Sequence, residues 1–250
     1  MKLLIFLFFI IILTALSVYI WLHYLTPDPK YDAQNIPQAF MYEYNIEKLF
    51  WKRPSGPPTV AIQVGHLDIA DLPDELKDLR EDTGAEYGSI EEVNVNKTIA
   101  DLVAEDLKQD HISVTILPAM IPQGFYADAF VAIHADGNAD TSRNGYKSAI
   151  PLHDLTDKAN ILKKDIDQSY LSETGMRPDA PENVTIDMKA YYPFSWWRFN
   201  HALSPFTPAM IVETGYISNF SDQEIIVNDP QLPAHAIAGG IETYLNQEHL

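Results

Sequence analysis

Ala127-Asp-Ala-Phe-Val-Ala-Ile-His-Ala-Asp136 and Pro208-Ala-Met-Ile-Val-Glu-Thr-Gly-Tyr-Ile-Ser-Asn219 are the stretches on which the fold turns. Residues 129–133 and 209–212 are short, unbroken apolar runs, the pattern of strands buried on both faces of a parallel sheet. Residues 59–64, Thr-Val-Ala-Ile-Gln-Val, read the same way and run into Gly65-His66. Each run therefore delivers a side chain able to bind a metal or move a proton: His66, His134 and Glu213. In open α/β sheets, ligands gather beyond the carboxyl ends of the strands, so these three can converge although they are far apart in sequence.

Between and after these strands the apolar spacing turns helical. Val95, Ile99, Leu102, Val103 and Leu107 recur at helical intervals over residues 91–107, and residues 112–117 read as the next strand. Residues 148–152 suit a further strand, and residues 154–171, 222–227 and 233–245 suit helices. Strands alternating with helices imply an α/β fold, a mainly parallel twisted sheet with helices on both faces. Residues 68–89 are polar and charge-rich with little β character, a lid or a solvated insertion.

Ahead of this domain, residues 3–25 form an apolar run of 23 residues without Asp, Glu, Lys or Arg. At helical rise it spans roughly 34 Å, enough for the hydrocarbon core of a bilayer. The run leaves through Tyr24-Leu-Thr-Pro27 rather than a small-x-small exit site, which favours an uncleaved signal anchor, a transmembrane helix over residues 1–25. Lys2 precedes the run, whereas Asp28, Lys30 and Asp32 follow it, so the amino terminus is expected in the cytoplasm and the body outside. The expected location is thus the cell membrane, single-pass. Residues 26–57 read as a juxtamembrane linker opened by Thr-Pro-Asp-Pro-Lys30 and closed by Arg53-Pro-Ser-Gly-Pro-Pro58, with weak helical periodicity between. The folded domain is expected over residues 58–250.

The net charge is −18, with +1 on residues 1–30 and −19 on the remaining 220 residues. A body this acidic is not expected to bind nucleic acid or anionic lipid through general electrostatics. Cysteine is absent, which excludes a disulfide framework, a thiolate nucleophile and a thiolate metal site. A metal must then be held by His, Asp and Glu. A catalytic zinc keeps three protein ligands and one open position. His66 and His134 supply two imidazoles, and residue chemistry alone leaves the third ligand open among 35 acids and the other histidines. Each residue also has a structural reading: a hydrogen-bonded histidine after a strand, or, for Glu92, an acid facing a helix N-terminus. Glu213 resists that reading, since an acid inside Ala-Met-Ile-Val-Glu-Thr-Gly is costly to bury without a partner.

The order Val64-Gly-His66, Glu92-Val-Asn-Val-Asn-Lys-Thr-Ile-Ala100, Ala127 to Asp136 and Pro208 to Asn219 resembles the zinc-dependent N-acetylmuramoyl-L-alanine amidases of the Amidase_3 type, over roughly residues 58–246. The resemblance implies one zinc ion held by His66, Glu92 and His134, with Glu213 as the catalytic acid/base. Glu91 is the neighbouring alternative, but Glu92 holds the position counted back from Val95-Asn96. The family commonly follows its first His with a glycine pair, where this chain has Leu67-Asp68. By the same resemblance the substrate is peptidoglycan, cleaved between N-acetylmuramic acid and the L-alanine of the stem peptide. A non-catalytic wall-binding module and a zinc peptidase acting on another amide are the alternative readings. Asp136 and Asn138 are candidates to orient the ligands, Tyr191 to Phe199 is an aromatic candidate for a substrate wall, and His201 reads as structural.

Overall fold

A computed structural model describes Leu13, Thr14 and residues 35–250 of the chain. Leu13 and Thr14 are helical, and the rest of the apolar run, with the expected membrane-spanning helix, lies outside the described residues. Among the described residues, no helix is long and apolar enough to cross a membrane. The chain divides between Lys52 and Arg53 into two units. In the first, helix α1 spans Gln38–Phe50, within the segment read as a linker.

The second unit runs β1 (Thr59–Val64), β2 (Glu86–Tyr87), β3 (Ile90–Glu91), α2 (Glu92–Gln109), β4 (Ser113–Leu117), β5 (Ala129–Asp136), β6 (Lys147–Ala149), α3 (Ala159–Thr174), α4 (Ile186–Lys189), β7 (Ala209–Tyr216), α5 (Phe220–Ile226) and α6 (Gln231–Gln247). Five strands form one sheet in the order β4-β1-β5-β7-β6. The first four are mutually parallel, and β6 pairs antiparallel with β7 at the edge. β2 and β3 form a separate small antiparallel pair.

Alternation along the strands sends side chains into two cores. Val60, Ile62, Val131, Ile133, Met210 and Val212 face one side, where α2, α3 and α6 add Ile99, Leu107, Leu162, Ile166, Ile237 and Ile241. Ala61, Phe130, Ala132, Ala209 and Ile211 face the other. That second face is covered by short pieces rather than long helices: 3-10 turns at Asp74–Leu79 and Tyr192–Phe194, and the four-residue α4. Leu76, Met188, Tyr192 and Phe194 fill it. Helices cover both faces only in this unequal sense, and the thinly covered face leaves room for a site at the strand ends.

The segment 68–89, expected with little β character, contains near its end the two-residue β2 strand of the small hairpin that leads directly into α2. The strand expected at 148–152 is shorter and begins at Lys147.

Candidate active site

β1 is followed by β4 on one side of it and, through β5, by a return to its other side. This reversal opens a crevice at the carboxyl ends of β1 and β5, the usual place for a ligand in such sheets. Gly65 and His66 lie at its β1 edge. Val64 pairs with Ile133, and the Gly65 N–H donates to the Ile133 carbonyl at 3.0 Å, so Gly65 flanks His134. A Cβ on Gly65 would stand 2.3–2.5 Å from the His134 ring atoms. Glycine is needed here because the imidazole occupies its side-chain space.

His66 turns into the left-handed region with φ 63°, which swings its ring back over the strand end. Asp68, two residues on, is left-handed as well, with φ 58°. Asp tolerates this conformation better than most residues, which is how Leu67-Asp68 can follow the turn without glycine. His66 Nδ1 lies 2.7 Å from the Asp82 carbonyl oxygen. A carbonyl only accepts, so Nδ1 carries the proton and Nε2 faces Glu92 Oε1 at 3.2 Å.

Glu92 opens α2 with its side chain turned inward and buried, while Glu91, the alternative, bonds Asn94 at the surface. The Glu92 carboxylate accepts from the Ala85 N–H at 2.8 Å, the Asn96 amide at 3.1 Å and the Ala135 N–H at 3.2 Å. Burial works to raise its pKa, but hydrogen bonds and charge from His134 and His66 hold it well below the usual carboxylate range. His66 responds in kind: burial opposes its charge, yet Glu92 and the Asp82 carbonyl push its pKa up to about 9.

His134 sits near the end of β5, inside the strand rather than after it. Its Nδ1 is 3.1 Å from Glu92 Oε1, and its Nε2 is 3.2 Å from the Tyr191 hydroxyl. The His66 and His134 rings meet edge to face with centroids 4.9 Å apart. One ligating atom from each of His66, Glu92 and His134 lies within 4.8 Å of the others, so the group is placed to hold a metal ion. The donors fit zinc: two imidazoles whose far nitrogens have oxygen partners, and one carboxylate oxygen facing both rings. Gly84 adds to the fit, since a Cβ there would come 2.7 Å from Glu92 Oε2.

Glu213 does not belong to that triad but stands beside it. It pairs in register with His134 on β5 and with Lys147 on β6, and the three share the thinly covered face of the sheet. Burial pushes the Glu213 pKa well up, Asp136 and Glu92 add to this, and Lys147 opposes it. Just past Glu213, β7 carries one residue more than β5 between the pairs His134–Glu213 and Asp136–Tyr216, a bulge of the kind that re-aims side chains.

Asp136, expected to orient a ligand, instead forms an ion pair with the buried Lys147, which also lies 4.0 Å from Asp179. The Asn138 side chain is used in a local turn, its Oδ1 accepting from the Asp140 N–H at 2.9 Å. His201 is structural as read, bonded at 2.6 Å to Glu75. The aromatic stretch reaches the site through Tyr191 alone among the contacts to the triad. Tyr192 bonds Gln63, and Phe194 packs on Phe130. Sequence reasoning left out Asn96, Asp82, Lys147 and Tyr191 as specific contributors. Asn96 alone had a local signal, lying one helical turn after Glu92 on the same face.

No curated protein matches the sequence significantly. Several solved structures share its fold. An N-acetylmuramoyl-L-alanine amidase from Clostridium difficile is 18% identical, covering 78% of this chain and 100% of its own, with a TM-score of 0.56. AmiC2 of Nostoc punctiforme is 22% identical over 77% of this chain and 99% of its own, with a TM-score of 0.53. The catalytic domain of CwlV from Bacillus (Paenibacillus) polymyxa is 20% identical over 76% and 98%, with a TM-score of 0.52. Residues 60–243, which include His66, Glu92, His134 and Glu213, match the N-acetylmuramoyl-L-alanine amidase family, and the chain belongs to it.

Proposed function

We propose that this amidase is zinc-dependent, with His66, Glu92 and His134 as the ligands of one ion and Glu213 as the acid/base. It hydrolyses the amide between N-acetylmuramic acid and the L-alanine of the peptidoglycan stem. The observation that carries this reading is the His66–Glu92–His134 cluster with Glu213 directly across the strand pair from His134. Zinc, when bound, supplies Lewis acidity that polarises the amide carbonyl and acidifies water. Glu213 accepts the proton of the attacking water on its carboxylate and returns it to the leaving nitrogen, which is a poor leaving group until protonated. Burial beside Asp136 and Glu92, which raises its affinity for a proton, suits this work. His66 is held through Nδ1 by Asp82 and His134 through Nε2 by Tyr191, so both rings keep a fixed orientation.

Residues 1–25 anchor the chain in the cell membrane, residues 26–57 tether it and residues 58–250 act outside. With α1 helical, residues 31–58 reach at most about 70 Å, less than the roughly 100 Å of an extended chain. Cleavage is then confined to wall close to the membrane. The test is to strip the solubilised chain with a chelator and incubate it with purified peptidoglycan, with and without zinc. Stem peptides with free L-alanine amino termini, released only with zinc, are the expected product in mass spectra. Glu213→Gln should bind one zinc equivalent and release none of them. Wild-type protein that releases these ends without zinc overturns the metal assignment, and new ends at another amide overturn the substrate bond.

A further inference from the structure

We propose that α1 is an interfacial helix that lies on the bilayer, its outward face seated among lipid headgroups and the upper acyl chains. Tyr42, Ile46, Leu49 and Phe50 are all exposed, Leu49 and Phe50 at 78% each. At about 100° per residue these four occupy one arc of roughly 100° around the helix. Tyr44, about 200° away from Tyr42, is buried, so the exposed arc is a second apolar face that nothing among the described residues covers. Trp51 extends it past the helix end. The large apolar side chains exposed on the second unit, Tyr87, Met120, Ile186 and Phe220, are by contrast widely spaced in sequence.

Three observations choose lipid as the occupant. The apolar run of residues 3–25 ends 13 residues before Gln38, and the 12 residues between can span at most about 40 Å, so an anchored chain keeps the start of α1 within about that distance of the membrane. The charge is divided: Glu43 and Glu47 balance Lys48 and Lys52 over residues 38–52, while residues 53–250 carry the whole −18. An anionic leaflet repels the second unit and leaves α1 free to approach. Finally, Tyr42, Phe50 and Trp51 are the aromatic types that settle where acyl chains meet headgroups. The proposal rests on reading residues 3–25 as an anchor. Seating α1 on the bilayer leaves only the residues after Trp51 to set the distance between membrane and catalytic domain.

The absence of cysteine makes the test direct. Single variants Tyr42→Cys, Ile46→Cys, Leu49→Cys, Glu47→Cys and Lys48→Cys of the full chain are spin-labelled and reconstituted into phosphatidylcholine–phosphatidylglycerol vesicles. Each is read for collision with oxygen, which concentrates in lipid, and with a nickel chelate, which stays in water. Labels at 42, 46 and 49 should be several-fold richer in oxygen collisions, and labels at 47 and 48 richer in nickel collisions, a pattern with helical period. Labels at all five positions open to nickel overturn the proposal. Protection of 42, 46 and 49 from both reagents also overturns it, because protein then covers the face, whether another part of the chain or a second copy. An alkaline carbonate wash reads the anchor separately. Release of the chain with lipid-facing labels sinks the anchor and keeps the interfacial helix; retention with water-facing labels does the reverse.

Discussion

Gly65 and Tyr191 bracket the His134 imidazole, and each controls it differently. A Cβ at Gly65 would sit 2.3–2.5 Å from the ring, closer than any real contact, and the surrounding backbone is a buried strand pair that cannot yield. Gly65→Ala is expected to displace the ring and abolish stoichiometric metal binding while leaving far-UV circular dichroism unchanged. Elemental analysis of the purified variant checks it, and one full zinc equivalent would refute the steric account. Tyr191 acts by orientation. Its hydroxyl is the partner of Nε2, which leaves Nδ1 to face Glu92 and the metal position. Such outer partners typically contribute 10–100-fold in metal affinity. Tyr191→Phe should therefore weaken zinc binding by about that factor in a competition titration with a chromophoric chelator, with the fold intact. His66 and His134 are legible in sequence because each follows or ends an apolar run. The residues that aim them are not, because a Tyr 57 positions from its histidine leaves no local pattern.

At the level of elements, the same distinction between local and distant signals decides what sequence reveals. β1, β5 and β7 stand out because strands in a parallel sheet are largely apolar runs, and β4, at the edge, by the alternation of exposed Ser113 and Thr115 with Val114 and Ile116. α2 and α6 stand out by their spacing. The β2–β3 pair has only two residues per strand, mostly exposed, so no hydrophobic alternation marks it. α3 begins at Ala159 rather than at 154 because Asp154 folds the chain into a turn, accepting from the Thr156 N–H at 2.9 Å and the Ala159 N–H at 3.1 Å. The join between linker and sheet shows how a distant contact fixes an element. Arg53 grips the buried Asp128 at the start of β5 through two bonds, 2.6 and 2.8 Å, while Thr59 on β1 donates to the same carboxylate. Burial works to raise the Asp128 pKa, but Arg53, Thr59 and Tyr126 depress it. A depressed carboxylate contributes stability above its unfolded value near 3.8 and loses it as pH falls through the folded value. Arg53→Ala should cost about 1–3 kcal/mol in urea unfolding at pH 7. The difference from wild type should shrink once the pH falls below about 4. A loss that is unchanged at low pH would assign Arg53 a packing role instead.

Across the whole molecule, metal and proton compete for one place, and their competition reaches global stability. Without metal, the His66 pKa of about 9, raised from 6.5 by Glu92 against the effect of burial, means that the imidazole is protonated at neutral pH. Because this pKa is raised on folding, the pair stabilises the metal-free protein fully below pH 6.5, and that contribution is lost as pH rises through 9. Zinc needs the same nitrogen unprotonated, so binding expels about one proton between these limits. Apparent zinc affinity should then rise about tenfold per pH unit, and at saturating zinc the added stability should grow by about 1.4 kcal/mol per unit. The measurement is the difference in unfolding free energy between zinc-loaded and chelator-stripped protein at pH 6.5, 7.5 and 8.5, at fixed free zinc. A widening gap is expected, because the stripped protein weakens along that series while the loaded one stays nearly constant. A gap that stays constant would mean that His66 is already unprotonated at pH 6.5, and would overturn the charged pair with Glu92.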